Sequence, residues 1–365
     1  MQVRDSPSTA VPPPPRPGIA GPRPPSRVLQ FALFLAGVIW YLCARMLSES
    51  AAHGIALRFD LGDEQALVQA VFLLFLAVLG VSILRTIGQR RAPLRATLGL
   101  PKRATSRQEW ATGAAIGWGL AVASVLPMAL GRTLRVELWT APRAFWLLGL
   151  SLLTLAIVTL ANSIGVFGYA FQRLIDATGP VRATLILLAL EAIHSGLTPV
   201  AYGTPEGTRI TVAMMAVLLL CLCWLRTHGV WLLWGLHFAW AASTGVLFGL
   251  PLGGDSSYGS VVDTRAVGPV WLTGSGFGPM AAAFSILVVL AAIPILVRAT
   301  TDYAWDYTHP PIIPGGYDVT IPPPAAQVAM EHAAQAAPLT SPGSLVQILP
   351  ATPRGPTADH STADQ

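Results

Sequence analysis

The sequence predicts an all-α membrane protein, a polytopic bundle of about eight transmembrane helices with disordered Pro-rich tails. Three observations predict it. Of the 365 residues, 53% are hydrophobic and only 11% charged, against about 25% charged in an ordinary soluble domain. The apolar residues fall into runs of about 18–22, the length that carries a helix across a hydrocarbon core about 30 Å thick. The basic residues gather between these runs, where they orient a chain in a bilayer.

The elements follow in order. Residues 1–27 are Pro-rich, with four consecutive prolines at Pro12–Pro15, and lack the periodicity of a core. They are expected to form an extended or disordered tail. The first run, Val28–Leu47, has no small-residue cleavage site and reads as a true span rather than a signal peptide. The second is Ala66–Leu84. Arg85, Arg90, Arg91, Arg95, Lys102, Arg103 and Arg107 separate it from the third, Trp110–Leu130, and the positive-inside rule places that loop in the cytoplasm. The third span contains Gly113-x-x-x-Gly117 with Gly119 nearby, a spacing that lets two helices approach closely. The fourth, Ala144–Ala161, continues its helical pattern through Phe167, Phe171 and Leu174 to an exit near Arg173. Val181–Leu197, Thr211–Leu225, Trp231–Leu250 and Pro279–Val297 complete the set, giving a membrane domain over 28–298. Residues 299–365, rich in Pro, Ala, Thr and Ser, read as a second tail, including the aromatic stretch Tyr303–Tyr317 with its His309-Pro310-Pro311 run. Alternation puts both termini in the cytoplasm. Seven of the 23 basic residues then lie outside (Arg45, Arg58, Arg132, Arg135, Arg143, Arg209 and Arg265) and the other sixteen inside.

Composition also excludes some classes. The net charge of +5 is explained by this orientation bias and is no nucleic-acid signal. Cys43, Cys221 and Cys223 all sit inside apolar runs and read as small buried side chains, with no disulfide framework and no zinc-ligand spacing. The single Lys and single Asn hint at GC-rich coding, and hence at a bacterial inner (cytoplasmic) membrane.

Strongly polar residues at membrane depth are costly and mark function by default. Four stand out: Asn162, Glu191, His194 and His237. Counting from the expected inner ends at Arg173, Arg182 and His228, a rise of about 1.5 Å per residue puts Asn162, His194 and His237 roughly 16, 18 and 14 Å deep. Three polar positions on three helices therefore converge on one level. Glu191 and His194, three apart, share a helix face. Interhelical hydrogen bonding alone also accommodates such residues.

These residues carry a resemblance. The segment Asn162-Ser-Ile-Gly-Val-Phe-Gly-Tyr-Ala-Phe-Gln-Arg173 resembles the Glu-Glu-x-x-x-Arg motif, with its usual Gly, aromatic and Gln-Arg continuation, of the CPBP intramembrane endopeptidases. That family includes the type II CAAX prenyl proteases and bacteriocin-immunity relatives. Leu190-Glu-Ala-Ile-His194 resembles its Phe-x-x-x-His motif, and Gly235-Leu-His-Phe-Ala-Trp-Ala241, continuing to Gly249-Leu-Pro-Leu-Gly253, its His-x-x-x-Asn motif. Trp271 to Pro279 is similar to the segment before the last helix in a bacterial branch. The resemblance covers about residues 80–298. It implies a site at Asn162, Ser163, His194 and His237, where a glutamate would activate water and His and Asn would bind the oxyanion.

The sequence departs from that pattern. Asn162 and Ser163 stand where the glutamate pair belongs, Phe167 where the motif has Arg, Leu190 for Phe and Ala241 for Asn. An amide cannot take the water's proton, and losing a general base costs about 10²- to 10⁴-fold. The expected function is therefore a proteolytically inactive relative that binds a hydrophobic or lipidated segment, or scaffolds a membrane-protein partner, in the lipid bilayer. The alternatives are an active endopeptidase with a remodelled site, using Ser163 as nucleophile or a zinc held by Glu191, His194 and His237, and a transporter or channel-like protein. No cofactor is expected on the leading reading.

Overall fold

The computed structural model describes residues 26–88, 93–199, 203–259 and 261–301, with the isolated Ala329 and His332. Residues 1–25 and 302–365 of the predicted tails, apart from Ala329 and His332, lie outside the described residues, as do Arg90, Arg91 and the Tyr303–Tyr317 stretch.

Every apolar run forms a helix. In chain order these are α1 (Arg27–Phe59), α2 (Gln65–Gly88), the short α3 (Leu94–Thr97), α4 (Ser106–Leu130), α5 (Pro142–Asn162), α6 (Gln172–Thr178), α7 (Pro180–Leu197), α8 (Glu206–Thr227), α9 (Trp231–Ala242), the short α10 (Val270–Thr273) and α11 (Ala283–Ala299). A π-helical segment, Ser163–Phe171, joins α5 to α6 into one continuous helix over Pro142–Thr178, and a second, Ser243–Leu247, extends α9. Among the described residues, six helices are long and apolar enough to cross a membrane: α1, α2, α4, the continuous Pro142–Thr178 helix, α7 and α8. α11 is apolar but shorter, at 17 residues. Leu35, Ile39, Phe75, Leu153, Leu185 and Leu287 are exposed around the bundle, far more apolar surface than a water-facing protein presents. The chain is an integral membrane protein by these criteria.

The chain is mostly helical as expected, with one short two-stranded ribbon that the sequence did not announce. Strand β1 (Leu134–Leu138) pairs antiparallel with β2 (Val262–Ala266), in register from Leu134 opposite Ala266 to Leu138 opposite Val262. The period-2 alternation of Leu134-Arg-Val-Glu-Leu138 suits a strand, but its partner lies far along the chain. α1 also runs to Phe59 rather than Leu47, ending where Asp60 adopts the left-handed conformation (φ 53°). At 33 residues it is about 50 Å long and exceeds the bilayer core.

Contacts between helix ends sort into two sets. At one end, Val230 N–H donates to the Gly99 carbonyl at 2.8 Å and Trp231 Nε1 to the Pro101 carbonyl at 3.1 Å, while Arg226 Nε donates to Thr300 Oγ1 at 3.0 Å. At the other, Arg143 pairs with Asp63 at 2.5 Å and β1 pairs with β2. α4, about 37 Å long, connects the two ends.

The tightest crossing is α4 on α9, and it is made by glycines. A Cβ on Gly113 would lie 2.0 Å from the Leu232 carbonyl oxygen, one on Gly117 2.2 Å from that of Leu236, and one on Gly235 2.1 Å from that of Trp110. The small-residue spacing read from the third span does serve close helix approach. Gly119, on the same helix, meets nothing within 4 Å and takes no part. Phe167, Phe171, Trp224, Leu233, Leu236 and Trp240 form the centre of the main core around this crossing.

Arg173, expected at a helix exit, and Arg209, expected in an outer segment, are both buried, at 1% and 4% exposure. Arg173 Nη1 donates to Gln30 Oε1 at 3.1 Å and pairs with Asp176 at 3.5 Å, and its guanidinium lies 5.4 Å from the Tyr169 ring centre, so it docks α1 on the α5–α6 helix. Arg209 Nη2 donates to the Ser195 carbonyl at 2.5 Å, with its guanidinium 5.6 Å from the Phe277 ring centre. Buried guanidinium groups are tolerated where carbonyls, amides and aromatic faces replace water.

Candidate functional site

α1, the α5–π junction, α7, α8 and α9 enclose a cavity of about 370 Å³. Asn162, Glu191, His194 and His237 all line it. The convergence read from the sequence is thus one of shared space, although the depth arithmetic behind it needs correction. The helix carrying Asn162 does not leave at Arg173 but continues to Thr178, 16 residues beyond Asn162 or about 24 Å. His194 sits in the last turn of α7, which ends at Leu197. Ala213, Ala216 and Leu220 from the middle of α8 close another side of the cavity.

Each polar group has a distinct environment. Tyr41 Oη, from α1, donates to Asn162 Oδ1. Tyr41 and Arg45 both line the cavity. Sequence reasoning missed them because they lie outside every motif, though Tyr41 and Arg45 stand one turn apart in an apolar run, a signal of its own. Ser195 Oγ donates to Glu191 Oε1 at 2.8 Å, an i, i+4 bond along α7. Glu191 is half-buried on the cavity wall, as its cost in lipid demands. His237 Nδ1 is buried and finds no hydrogen-bond partner among the described residues.

Ser163 is not brought into this group. It is fully buried, does not line the cavity, and its hydroxyl donates to the Thr159 carbonyl at 2.6 Å. The hydroxyl back-bonds along its own helix, as Ser does at such positions. Phe167 occupies the wall where the motif resemblance places a cation, and its ring meets Phe171 edge-on at 6.2 Å. Ala241 is absent from this cavity but lines a small adjoining one of about 80 Å³ that shares His237, Ala216, Leu220 and Met280. Among the described residues, no group of three or more His, Cys, Asp or Glu is placed to hold a metal ion.

The π segment starts at the residue after Asn162 and holds Gly165 against α1, where a Cβ would lie 2.5 Å from the Tyr41 ring. An i→i+5 turn re-aims the side chains after it relative to a regular helix, and such turns recur at functional sites. The arrangement as a whole is an apolar chamber with a few convergent polar groups, the usual form of a small-ligand or segment-binding site.

The class these features define is a helical integral membrane protein with a mainly apolar cavity that carries a few polar groups. No family model, curated protein or solved structure matches the chain.

Proposed function

We propose that the chain is a multi-pass membrane protein of the CPBP type, crossing the bilayer eight times with both termini cytoplasmic, whose cavity binds a hydrophobic or lipidated segment of a partner without cleaving it. The observation that carries this reading is the chemistry of the cavity wall. Val38, Leu42, Phe167, Leu187, Leu190 and Leu220 make it mainly apolar. Where the family resemblance calls for a pair of carboxylates stand Asn162, its oxygen engaged by Tyr41, and Ser163, bonded to its own helix. Neither can accept a proton from water near neutral pH. The apolar wall favours an alkyl or prenyl chain by about 25 cal/mol per Å² buried.

Binding and cleavage are measured together on the purified full-length protein with a fluorescent farnesylated peptide. The expected result is intact peptide bound at least 10-fold more tightly than its unprenylated form, with binding weakened at least 10-fold by Ala213→Phe, which fills the cavity. Chelator-insensitive cleavage that disappears in His194→Ala would sink the inactive reading.

One observation favours a second reading, an active endopeptidase with a remodelled site: Glu191, a carboxylate, lines the same cavity as His194 and His237. Cleavage lost in Glu191→Gln would support it. If a chelator also abolishes cleavage, a metal held by Glu191, His194 and His237 is the version to pursue.

The orientation has its own test. Reporter fusions after Arg103 and after Gly259 are expected on opposite sides of the membrane, Arg103 in the cytoplasm, because five of the eight apolar runs lie between them and the basic residues gather on the Arg103 side. Both reporters on one side would overturn the eight-span arrangement.

A further inference from the structure

At the end of the bundle marked by Pro101 and Trp231, a second and larger cavity of about 800 Å³ opens beside α3, the α3–α4 loop and α9. It shares no lining residue with the cavity described above. Four cations line it, Arg95, Lys102, Arg103 and Arg107, together with the Ser106 hydroxyl and the indole rings of Trp110 and Trp231. Orientation bias accounts for basic residues in this loop. It does not account for their arrangement around a built cavity.

The wall is fixed by the chain itself. Trp231 Nε1 holds the Pro101 carbonyl at 3.1 Å, and Val230 N–H holds that of Gly99 at 2.8 Å. Arg103 Nη1 caps the end of α8 through the Thr227 carbonyl at 2.5 Å and lies 3.8 Å from Glu109. Glu109, fully buried in the first turn of α4, also accepts from Thr105 Oγ1 at 2.9 Å. One of the four cations is therefore offset by a carboxylate. Among the described residues, Arg95, Lys102 and Arg107 make no ion pair, and all three are exposed. His228 adds no charge near neutral pH, since burial and the neighbouring Arg103 push its pKa below the ordinary histidine value.

We infer that this cavity binds the phosphate-bearing headgroup of an anionic membrane lipid. Three cations without an ion-pair partner among the described residues, around a cavity whose wall is held by hydrogen bonds, match a phosphate anion, and basic pockets between membrane helices take such headgroups. The position selects a lipid over free phosphate. Arg107, Ala111 and Trp118 lie on one stripe of α4, exposed along its length with Trp118 at 54%. That stripe leads from the cavity down the apolar face, where an acyl chain attached to the headgroup would lie. Two tryptophans at the cavity sit where aromatic rings anchor a helix at the headgroup level. The inference is independent of what occupies the interior cavity.

The test uses the purified full-length protein in zwitterionic nanodiscs, titrated with short-chain phosphatidylglycerol, phosphatidylcholine or inorganic phosphate, and read by native mass spectrometry and tryptophan fluorescence. Phosphatidylglycerol is expected to bind at least 10-fold more tightly than phosphatidylcholine. That preference should fall at least 10-fold in the triple variant Arg95→Gln, Lys102→Gln, Arg107→Gln. It should persist in Arg132→Gln, Arg135→Gln, Arg265→Gln, which removes the same charge at the opposite end. An unchanged preference in the first triple variant, or an equal loss in the second, would overturn the site. Inorganic phosphate binding with the same dependence on Arg95, Lys102 and Arg107, without a preference for phosphatidylglycerol, would overturn the lipid assignment.

Discussion

Gly235→Ala is expected to cost the protein about 3 kcal/mol or more of stability, although it adds one methyl group. The new Cβ would fall 2.1 Å from the Trp110 carbonyl oxygen, and the obstructing atom is backbone on a packed helix. Overpacked sites ordinarily lose about 1–3 kcal/mol by side-chain adjustment. Here the two helix axes must separate, which also loosens Gly113 against Leu232 and Gly117 against Leu236. Gly117→Ala should behave in the same way. Gly119→Ala supplies the contrast, since nothing lies within 4 Å of its added Cβ. It should be neutral or stabilising by up to about 1 kcal/mol, the helix-propensity gain of alanine over glycine. Thermal unfolding of the three variants in one detergent measures the difference. Equal midpoints for Gly235→Ala and Gly119→Ala would show that α4 and α9 do not cross as described.

Arg173→Leu is expected to destabilise by about 2–3 kcal/mol. Removing one member of a buried ionic pair costs about 3–5 kcal/mol, reduced here because Asp176 is 41% exposed and can recover water. The larger part of the loss comes from Gln30, 2% exposed, whose Oε1 loses its guanidinium donor. Arg173→Lys should recover only part of this, because an ammonium lacks the planar group that lies over the Tyr169 ring. In the double variant Arg173→Leu, Gln30→Leu, the loss should be smaller than the sum of the single losses, since the shared contact is removed once. Strict additivity, measured by unfolding, would show that Arg173 does not dock α1.

These two sites mark what the sequence made legible. Runs of apolar residues named every long helix, because length and hydropathy are local properties and a bilayer enforces them. The glycine spacing on α4 was readable as a packing face for the same reason, yet Gly119 looked equivalent to Gly117 until the partner helix was known. The polar residues Asn162, Glu191, His194 and His237 were legible because each stood out in an apolar background. That Ser163 does not line the cavity was not legible, because it depends on which way one helix face turns and on an acceptor four residues back for its hydroxyl. Tyr41 was missed because its partner, Asn162, belongs to a distant helix. Arg173 looked like an interface charge because sequence shows the cost of burial but not the groups that offset it. The β1–β2 ribbon and the two π-helical segments depend on pairings or hydrogen-bond registers that no local composition records.

The α4–α9 crossing also sets an order of events during synthesis. Gly113 and Gly117 meet Leu232 and Leu236, and β1 meets β2, only after roughly a further third of the chain has been made. At about 5–20 residues per second, α4 waits for several seconds or more inside the membrane with its glycine face uncovered. During that interval the nascent protein presents a surface built to receive another helix closely. Any quality-control factor or neighbouring apolar segment competes for it until α9 arrives. The folding of this domain is therefore paced by its seventh apolar run, and a chain truncated before Trp231 keeps the receptive face for as long as it survives.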